Sequence, residues 1–427
     1  MIDLKRLRQD PEASRASLLR RRDPSVGPLL DAILELDRQR RELLVQAETL
    51  KAERNAASEE VARRKRGKEP ADDLMARLRA TGEEVKALDA RLRDVDAELD
   101  RRVLAVPNFP ADELPDGDAS ANRVVRTWGE PPRFDFPPRP HWELGTALGI
   151  LDLPAGAKIT GSGFPLLRGL GARLVRALSG FMLDLHTREH GYEEVAPPYL
   201  VNRATLTGTG QLPKFEEDLY GVPSDDLFLI PTAEVPLTNI HRDEILEGSD
   251  LPRGYCAWTP CFRREAGAHG KDTRGLIRVH QFDKVELVRF ARAEDSAAEH
   301  ERMTGHAETV LQRLEIPYRV LELAAGDTGF ASARTYDLEV WAAGVGSWLE
   351  ASSSSTFADF QARRANIRYR PEPKAKPEFV HTLNASGVAF PRTIIALLEN
   401  NQAADGSVRV PQALVPYLGV DRLVPRA

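Results

Sequence analysis

The side chains most able to do chemistry are crowded into Phe262–Glu286, which reads FRREAGAHGKDTRGLIRVHQFDKVE. Arg263, Arg264 and Glu265 stand together at its start, and Lys271 and Arg274 lie in the small-residue loop Ala266–Gly275. An arginine fork grips two oxygens of a carboxylate or phosphate at once, so cations held here need an anionic partner. Lys271 and Arg274, on a loop between two β-prone runs, are free to close over phosphates. The plain alternative is a charged hairpin left in solvent, where most charged residues are found. A second candidate is Thr232, Ala233 and Glu234, after the apolar run LFLI. A strand end leading into a polar turn is a common place for a ligand carboxylate, although a lone glutamate there is equally a surface residue. Cys256 and Cys261 have no histidines at ligand spacing, so they read as buried thiols and not as a zinc site.

These residues need a scaffold. The alternation from Leu276 to Phe282 predicts the second strand of an antiparallel hairpin. Upstream, Leu174, Leu178, Phe181, Met182 and Leu185 share one face of a helix from about Gly171 to His190. The strand in GYEEVAPPYLV closes on Pro197 and Pro198, which cannot donate to a ladder, so it belongs at a sheet edge or a subunit boundary. Residues 106–140 mix Pro, Asp, Gly and Asn and read as a linker, with one short strand around Arg123–Trp128.

The N-terminal part is organised differently. After a short helical segment over residues 1–24, broken near Pro24 and Pro28, a heptad seam runs from Leu29 to Val61, with Arg40 and Arg54 in it. It stops at RRKRGKEP and resumes from Leu74 to Leu99. Two such seams around a tight break predict an antiparallel helical hairpin with arms of about 50–60 Å at 1.5 Å per residue. No globular core needs a hairpin that long, so it reads as a projecting arm. Its tip carries Arg63, Arg64, Lys65, Arg66 and Lys68. These are either a solvated turn or a contact for the phosphate backbone of RNA.

Composition sets the frame. At 427 residues, 42% hydrophobic and 29% charged, the chain has room for two or three globular domains. A net charge of −6 gives no global nucleic-acid signature, so any such binding is local. Two cysteines exclude a disulfide framework and fit a reducing cytoplasm. The start, MIDLKRLRQD, is no signal peptide, and no stretch reaches the roughly 18 apolar residues of a membrane span.

Taken in order, these motifs resemble a seryl-tRNA synthetase of bacterial type, a class II aminoacyl-tRNA synthetase. Thr232–Glu234 resembles that family's serine loop, GYEEVAPP its motif 1 at the dimer interface, and Phe262–Glu286 its motif 2. Asn384–Gln402 resembles motif 3, Ser352–Arg370 the stretch between motifs 2 and 3, and the helical hairpin the tRNA-binding arm. The likeness covers essentially the whole chain. It implies an α+β fold: a long helical arm over 1–105, a linker over 106–140, and a catalytic domain over 141–427 with an antiparallel sheet flanked by helices.

The resemblance also implies roles. Arg263 and Arg392 would be the catalytic arginines, Arg263 bridging the serine carboxylate and the α-phosphate of ATP and Arg392 at the γ-phosphate. Arg264, Glu265, Val279 and Phe282 would meet the nucleotide, Glu265 at the adenine amino group and Phe282 under the ring, with Arg274 at the pyrophosphate end. Glu350, Ala351, Ser352 and Ser353 would complete the ATP site, with Glu350 and Ser353 at Mg2+. Serine would meet Thr232, Ala233 and Glu234 at its amino end, Arg263 at its carboxylate, and Glu286 and Ser386 at its hydroxyl. A site built to bond a hydroxyl rejects alanine by leaving buried groups unpaired. Arg63, Arg64, Lys65, Arg66 and Lys68 would touch tRNA across a homodimer. Serine loading of selenocysteine tRNA, in cells that have one, is implied too, and zinc is not.

Two departures stand out. The family's SSCSN run is here Ser352–Thr356, with Ser354 and Thr356 in place of cysteine and asparagine, and Pro391 replaces a glycine before Arg392. The other reading is a tRNA-binding paralogue that has lost activation. Such a chain should have lost some of Arg263, Glu265, Glu286 and Arg392, and all are present.

Overall fold

Apolar residues at steps of three and four give each long helix one sticky stripe, and the stripes close on each other. In the computed structural model, which describes residues 1–266 and 274–425, helix α3 (Val26–Arg66) pairs with α4 (Asp72–Leu104). Lys271 lies outside the described residues. Of the expected seam, Ile33, Leu43, Ala47 and Val61 are buried on α3, and Thr81, Val85 and Leu99 on α4. The seam arginine Arg40 reaches Asp96 on the facing helix at 2.6 Å, and Lys51 reaches Asp89 at 2.9 Å. Helix α3 ends at Gly67 after Arg63–Arg66, and α4 opens on Asp72 and Asp73. Basic residues at a helix C-terminus and acidic ones at an N-terminus both oppose the backbone dipole.

The N-terminal segment departs from expectation. It forms α1 (Leu4–Gln9) and α2 (Pro11–Leu19), because Pro11 disfavours helical geometry at Asp10. The break before α3 spans residues 20–25. Pro28 does not break the helix: it sits in the first turn of α3, where the missing N–H has no partner to lose.

The chain divides into two compact units. One holds residues 2–19 and 23–106; the other holds 107–427 with Met1 and residues 20–22. The second unit is built on an eight-stranded sheet. Its strands are β1 (Arg123–Trp128), β2 (Glu193–Glu194), β3 (Arg253–Phe262), β4 (Gln281–Ala291), β5 (Tyr318–Glu322), β6 (Arg334–Ala342), β7 (Ser347–Thr356) and β8 (His381–Ala389). Their order is β1-β5-β6-β7-β8-β4-β3-β2. All pairs are antiparallel except β2 on β3, at the edge, where Pro197 and Pro198 soon end the strand. Strand β1 is the run read at Arg123–Trp128, and it forms the opposite edge.

Three helices cover the sheet: α5 (Leu170–Arg188), α7 (Ser296–Arg313) and α8 (Phe390–Asn400). The α5 face expected from sequence is the buried one. Helix α8 is buried almost throughout, and its Ile394, Ile395 and Leu398 join the main core. A shorter helix, α6 (Glu234–Thr238), follows the Thr232 turn. Among the described residues no helix is long and apolar enough to cross a membrane.

The period-two run Leu276–Phe282 is mostly not strand. β4 starts at Gln281, opposite Phe262. The backbone of 276–280 finds other partners: Leu276 N donates to His141 Nε2 at 2.9 Å, and His280 N to Gly163 O at 2.9 Å. Alternation buries Leu276 and Val279 without a ladder to carry it.

Candidate active site

Where β4, β7 and β8 run side by side, their ends and the flanking loops enclose a cavity of about 660 Å³. Arg263, the first residue after β3, projects into it. Its guanidinium lies 5.2 Å from the centre of the Phe282 ring, and its Nε donates to Pro231 O at 3.2 Å. The motif 2 arginine is thereby tied to the Thr232 turn. Glu265 adopts a left-handed backbone, φ 51°, and its carboxylate pairs with Arg278. Such a conformation is uncommon outside glycine and marks a locally over-determined site.

Arg392 enters from the first turn of α8. Its Nε donates to Ile277 O at 3.2 Å, and its guanidinium lies 3.6 Å from Glu350 Oε2. Pro391 occupies the helix's first turn, where a missing N–H leaves no bond unmade. Just before it, Val388 has φ 134°, in the irregularity that separates Ser386 from Ala389 along β8. Ala351 and Ser353 share this wall, and the side chain of Val279 is buried. Asp337 stands opposite Ser353 in the β6–β7 ladder. Burial, then the Glu350 carboxylate, raises its carboxyl well above the usual range, and its Oδ1 is buried without a hydrogen-bond partner.

Deeper in, two glutamates meet. Glu286, on β4 directly opposite Ser386 of β8, is fully buried. Its carboxylate accepts from Thr232 Oγ1 at 3.1 Å and Asn384 Nδ2 at 2.9 Å, and forms an ion pair with Lys284. Glu234, at the start of α6, accepts from Gln361 Nε2 at 2.6 Å and Asn384 Nδ2 at 3.1 Å. Burial, then the like charge of Glu286, pushes the Glu234 carboxyl up to about 7.

Glu286 and the expected residues Ala233, Ser352, Arg264 and Arg274 lie off the cavity wall. Ala233 is buried behind it, and Ser352 donates to Ser386 O at 2.6 Å. Arg264 lies 5.9 Å over the Tyr220 ring, and Arg274 4.5 Å over Trp142. Conversely, Lys284, Asn384, Gln361 and Arg278 escaped the sequence reading. One signal was available for Lys284: two residues before Glu286 on a strand, it must share that residue's face.

In the other unit, the tip cations split. Arg63 and Arg64 both pair with Glu60, at 2.6 and 3.1 Å, while Lys65, Arg66 and Lys68 are exposed around the turn.

Comparison with known proteins puts these features in a family. Residues 1–110 match the seryl-tRNA synthetase N-terminal domain, and residues 215–401 the tRNA synthetase class II core domain (G, H, P, S and T). A serine–tRNA ligase of Gemmatimonas aurantiaca is 57% identical over 420 residues, covering 98% of this chain and 99% of its own. The chain belongs to the seryl-tRNA synthetase family. Solved structures agree: seryl-tRNA synthetase from Pyrococcus horikoshii, complexed with ATP, matches with TM-score 0.95 at 38% identity over 100% of both chains. The cytoplasmic enzyme of Naegleria fowleri, in complex with AMP, matches with TM-score 0.87 at 29% identity, over 98% of this chain and 97% of its own. The seryl-tRNA synthetase fold thus accounts for both units, the helical hairpin and the antiparallel sheet.

Proposed function

We propose that the cavity activates serine with ATP. The enzyme is an aminoacyl-tRNA ligase that joins serine to its tRNA. In the first step a serine carboxylate oxygen bonds to the α-phosphorus of ATP, the α–β bridge breaks, and pyrophosphate leaves. In the second, the terminal ribose hydroxyl of tRNA attacks the carbonyl and AMP leaves. The approach of two anions is the physical obstacle in the first step. Arg263, held by Pro231 O beside the Thr232 turn and lying over the Phe282 ring, meets it by touching carboxylate and phosphate together. Phe282 supplies a stacking face for adenine and Glu265 an acceptor for its amino group. Arg392 meets the far phosphate.

The observation that carries the serine reading is the buried pair Glu234 and Glu286, with Thr232 and Ser386 beside them. Glu234 takes the ammonium, and Glu286 and Ser386 the hydroxyl. Glu286→Gln is the test: serine-dependent pyrophosphate exchange should fall about 100-fold, on the order of a lost buried charge-assisted hydrogen bond, with ATP affinity held. Unchanged exchange with serine removes Glu286 from that role. Exchange with threonine or alanine alone, in a panel of amino acids, overturns the substrate.

Glu350 and Ser353 fit a magnesium ion. Mg2+ takes one or two carboxylates and fills its shell with phosphate oxygens and water. The orphaned Asp337 Oδ1 opposite Ser353 leaves this corner with an unused oxygen acceptor, and no cluster of three ligating side chains is found among the described residues. When bound, the ion neutralises phosphate charge; Glu350 and Ser353 orient it.

Four further readings complete the proposal. The tip residues Arg63, Arg64, Lys65, Arg66 and Lys68 touch tRNA phosphates. The enzyme is a homodimer, supported by the short edge strand β2 and the exposed Tyr199 and Leu200 after it, and sedimentation tests it. Buried free thiols, pushed up to about 12 at Cys256 by burial, suit a reducing cytoplasm. Charging of a selenocysteine tRNA transcript tests the extension to that substrate.

A further inference from the structure

We propose that Lys284 is a positioning residue that decides which of the two buried site carboxylates carries the negative charge, so that the ammonium of serine enters in exchange for a proton on Glu234. This rests on the assignment of the serine site above.

The geometry is asymmetric. Lys284 Nζ touches the Glu286 carboxylate and donates to Thr232 Oγ1 at 2.9 Å, and its side chain is 6% exposed. Among the described residues Glu234 has no such partner. Its two oxygens receive only neutral amides, from Gln361 and Asn384. Asn384 Nδ2 serves both carboxylates, giving one hydrogen to Glu234 Oε2 and the other to Glu286 Oε1. One amide nitrogen thus sets the spacing of the pair. Two carboxylates this close cannot both ionise in a buried site unless cations balance them.

One ammonium is at hand, and it sits on Glu286. The other ionisable groups facing Glu234 are Arg263 and Glu286 itself. Arg263 is directed to Pro231 O and the Phe282 ring. Cys261, fully buried nearby, has its thiol raised by burial and adds no charge. Below about pH 7 the unliganded site therefore keeps a proton on Glu234, while Lys284 is paired with Glu286. The raised carboxyl of Glu234 agrees. When serine arrives, its ammonium takes the place of the proton that Glu234 gives to solvent, and the serine carboxylate is met by Arg263. A second residue class is excluded by the same means: a ligand without an ammonium leaves Glu234 protonated and gains nothing from it.

The test is the pH dependence of the serine KM in pyrophosphate exchange between about pH 5.5 and 8.5, with the ATP KM measured alongside. For the full-length wild type, serine KM should rise toward tenfold for each pH unit below about 7, while the ATP KM stays level. Lys284→Arg should keep that profile. Lys284→Met removes a charge that favours ionised Glu234, so its break should move up by about 1 pH unit. Glu234→Gln should raise the serine KM at every pH and abolish the break. A wild-type serine KM that is flat across this range overturns the proposal, whatever the variants do. A Lys284→Met enzyme that exchanges poorly but keeps the wild-type break also overturns it, because the residue would then be merely structural. Failure of the serine-site assignment is read separately, from Glu286→Gln with unchanged serine KM.

Discussion

Glu399 gives the most demanding test of how the site is held. It is fully buried on α8, and each oxygen accepts two hydrogen bonds. Oε1 accepts from His141 N and from His141 Nδ1, both at 2.8 Å; Oε2 accepts from Gly344 N at 2.8 Å and Val345 N at 2.9 Å. Because Leu276 N donates to His141 Nε2, the imidazole proton must sit on Nδ1, facing Glu399. The chain of contacts therefore runs from α8 through an imidazole to the segment that leads into Val279 and Phe282. Glu399→Gln keeps the shape but turns one oxygen into an NH2 group that faces two donors. Each donor left unpaired costs about 1–3 kcal/mol, so the substitution should remove about 2–6 kcal/mol of stability. All five tryptophans lie between residues 128 and 348, so tryptophan fluorescence during urea unfolding reports on the sheet-containing unit alone. The ATP KM should rise as well, because the 276–280 segment loses its anchor. A destabilisation below about 1 kcal/mol with an unchanged ATP KM would refute the reasoning.

Other outcomes follow from the same geometry. Burial raises Glu234 from an ordinary 4.5 to about 7, so the unfolded chain ionises first and native stability falls as pH rises between those values. Glu234→Gln removes that penalty: relative to wild type, it should gain about 2.5 kcal/mol on moving from pH 5 to pH 8, and a pH-independent difference would refute it. Arg263→Lys keeps the charge but not the fork, and should lower pyrophosphate exchange by about 10²–10³-fold; a decrease under tenfold would show that charge alone suffices. Deleting Leu29–Leu99 should abolish tRNA charging and leave serine-dependent exchange largely intact, whereas loss of both would mean the hairpin is needed for folding. Neutralising Lys65, Arg66 and Lys68 together should flatten the salt dependence of tRNA binding, reducing its log–log slope by about 0.7–0.9 for each phosphate that a side chain no longer neutralises.

Long-range order was legible where periodicity was long. The α3–α4 seam repeats over many turns, and the α5 face over about three at 3.6 residues per turn, so tertiary packing had nothing to override. The arginine of motif 2 and the Thr232–Glu234 turn were legible because charge follows an apolar strand end. What misled was the alternation at Leu276–Phe282. It arises from burial of Leu276 and Val279 in a loop whose N–H groups are taken by His141 and Gly163, partners far away in sequence. Asn384 and Gln361 were invisible for a related reason. Their meaning lies in the two carboxylates they join, which come from other elements. The effect of Pro391 was also undecidable from sequence: whether a proline disturbs Arg392 depends on its place in α8.

The uneven packing of the helical hairpin has a mechanical consequence. On α3, no residue between Ala47 and Val61 is fully buried, whereas Leu30, Ile33, Leu43 and Ala47 are buried toward the base. A two-helix rod gains its rigidity from the apolar area it encloses, so this one is stiffer at its root than over residues 48–60. The distal turns should exchange their amide hydrogens orders of magnitude faster than the root. A binding partner that grips the tip must then supply the ordering free energy itself, and protection of those distal amides on adding tRNA would measure how much of the binding free energy goes into straightening the lever.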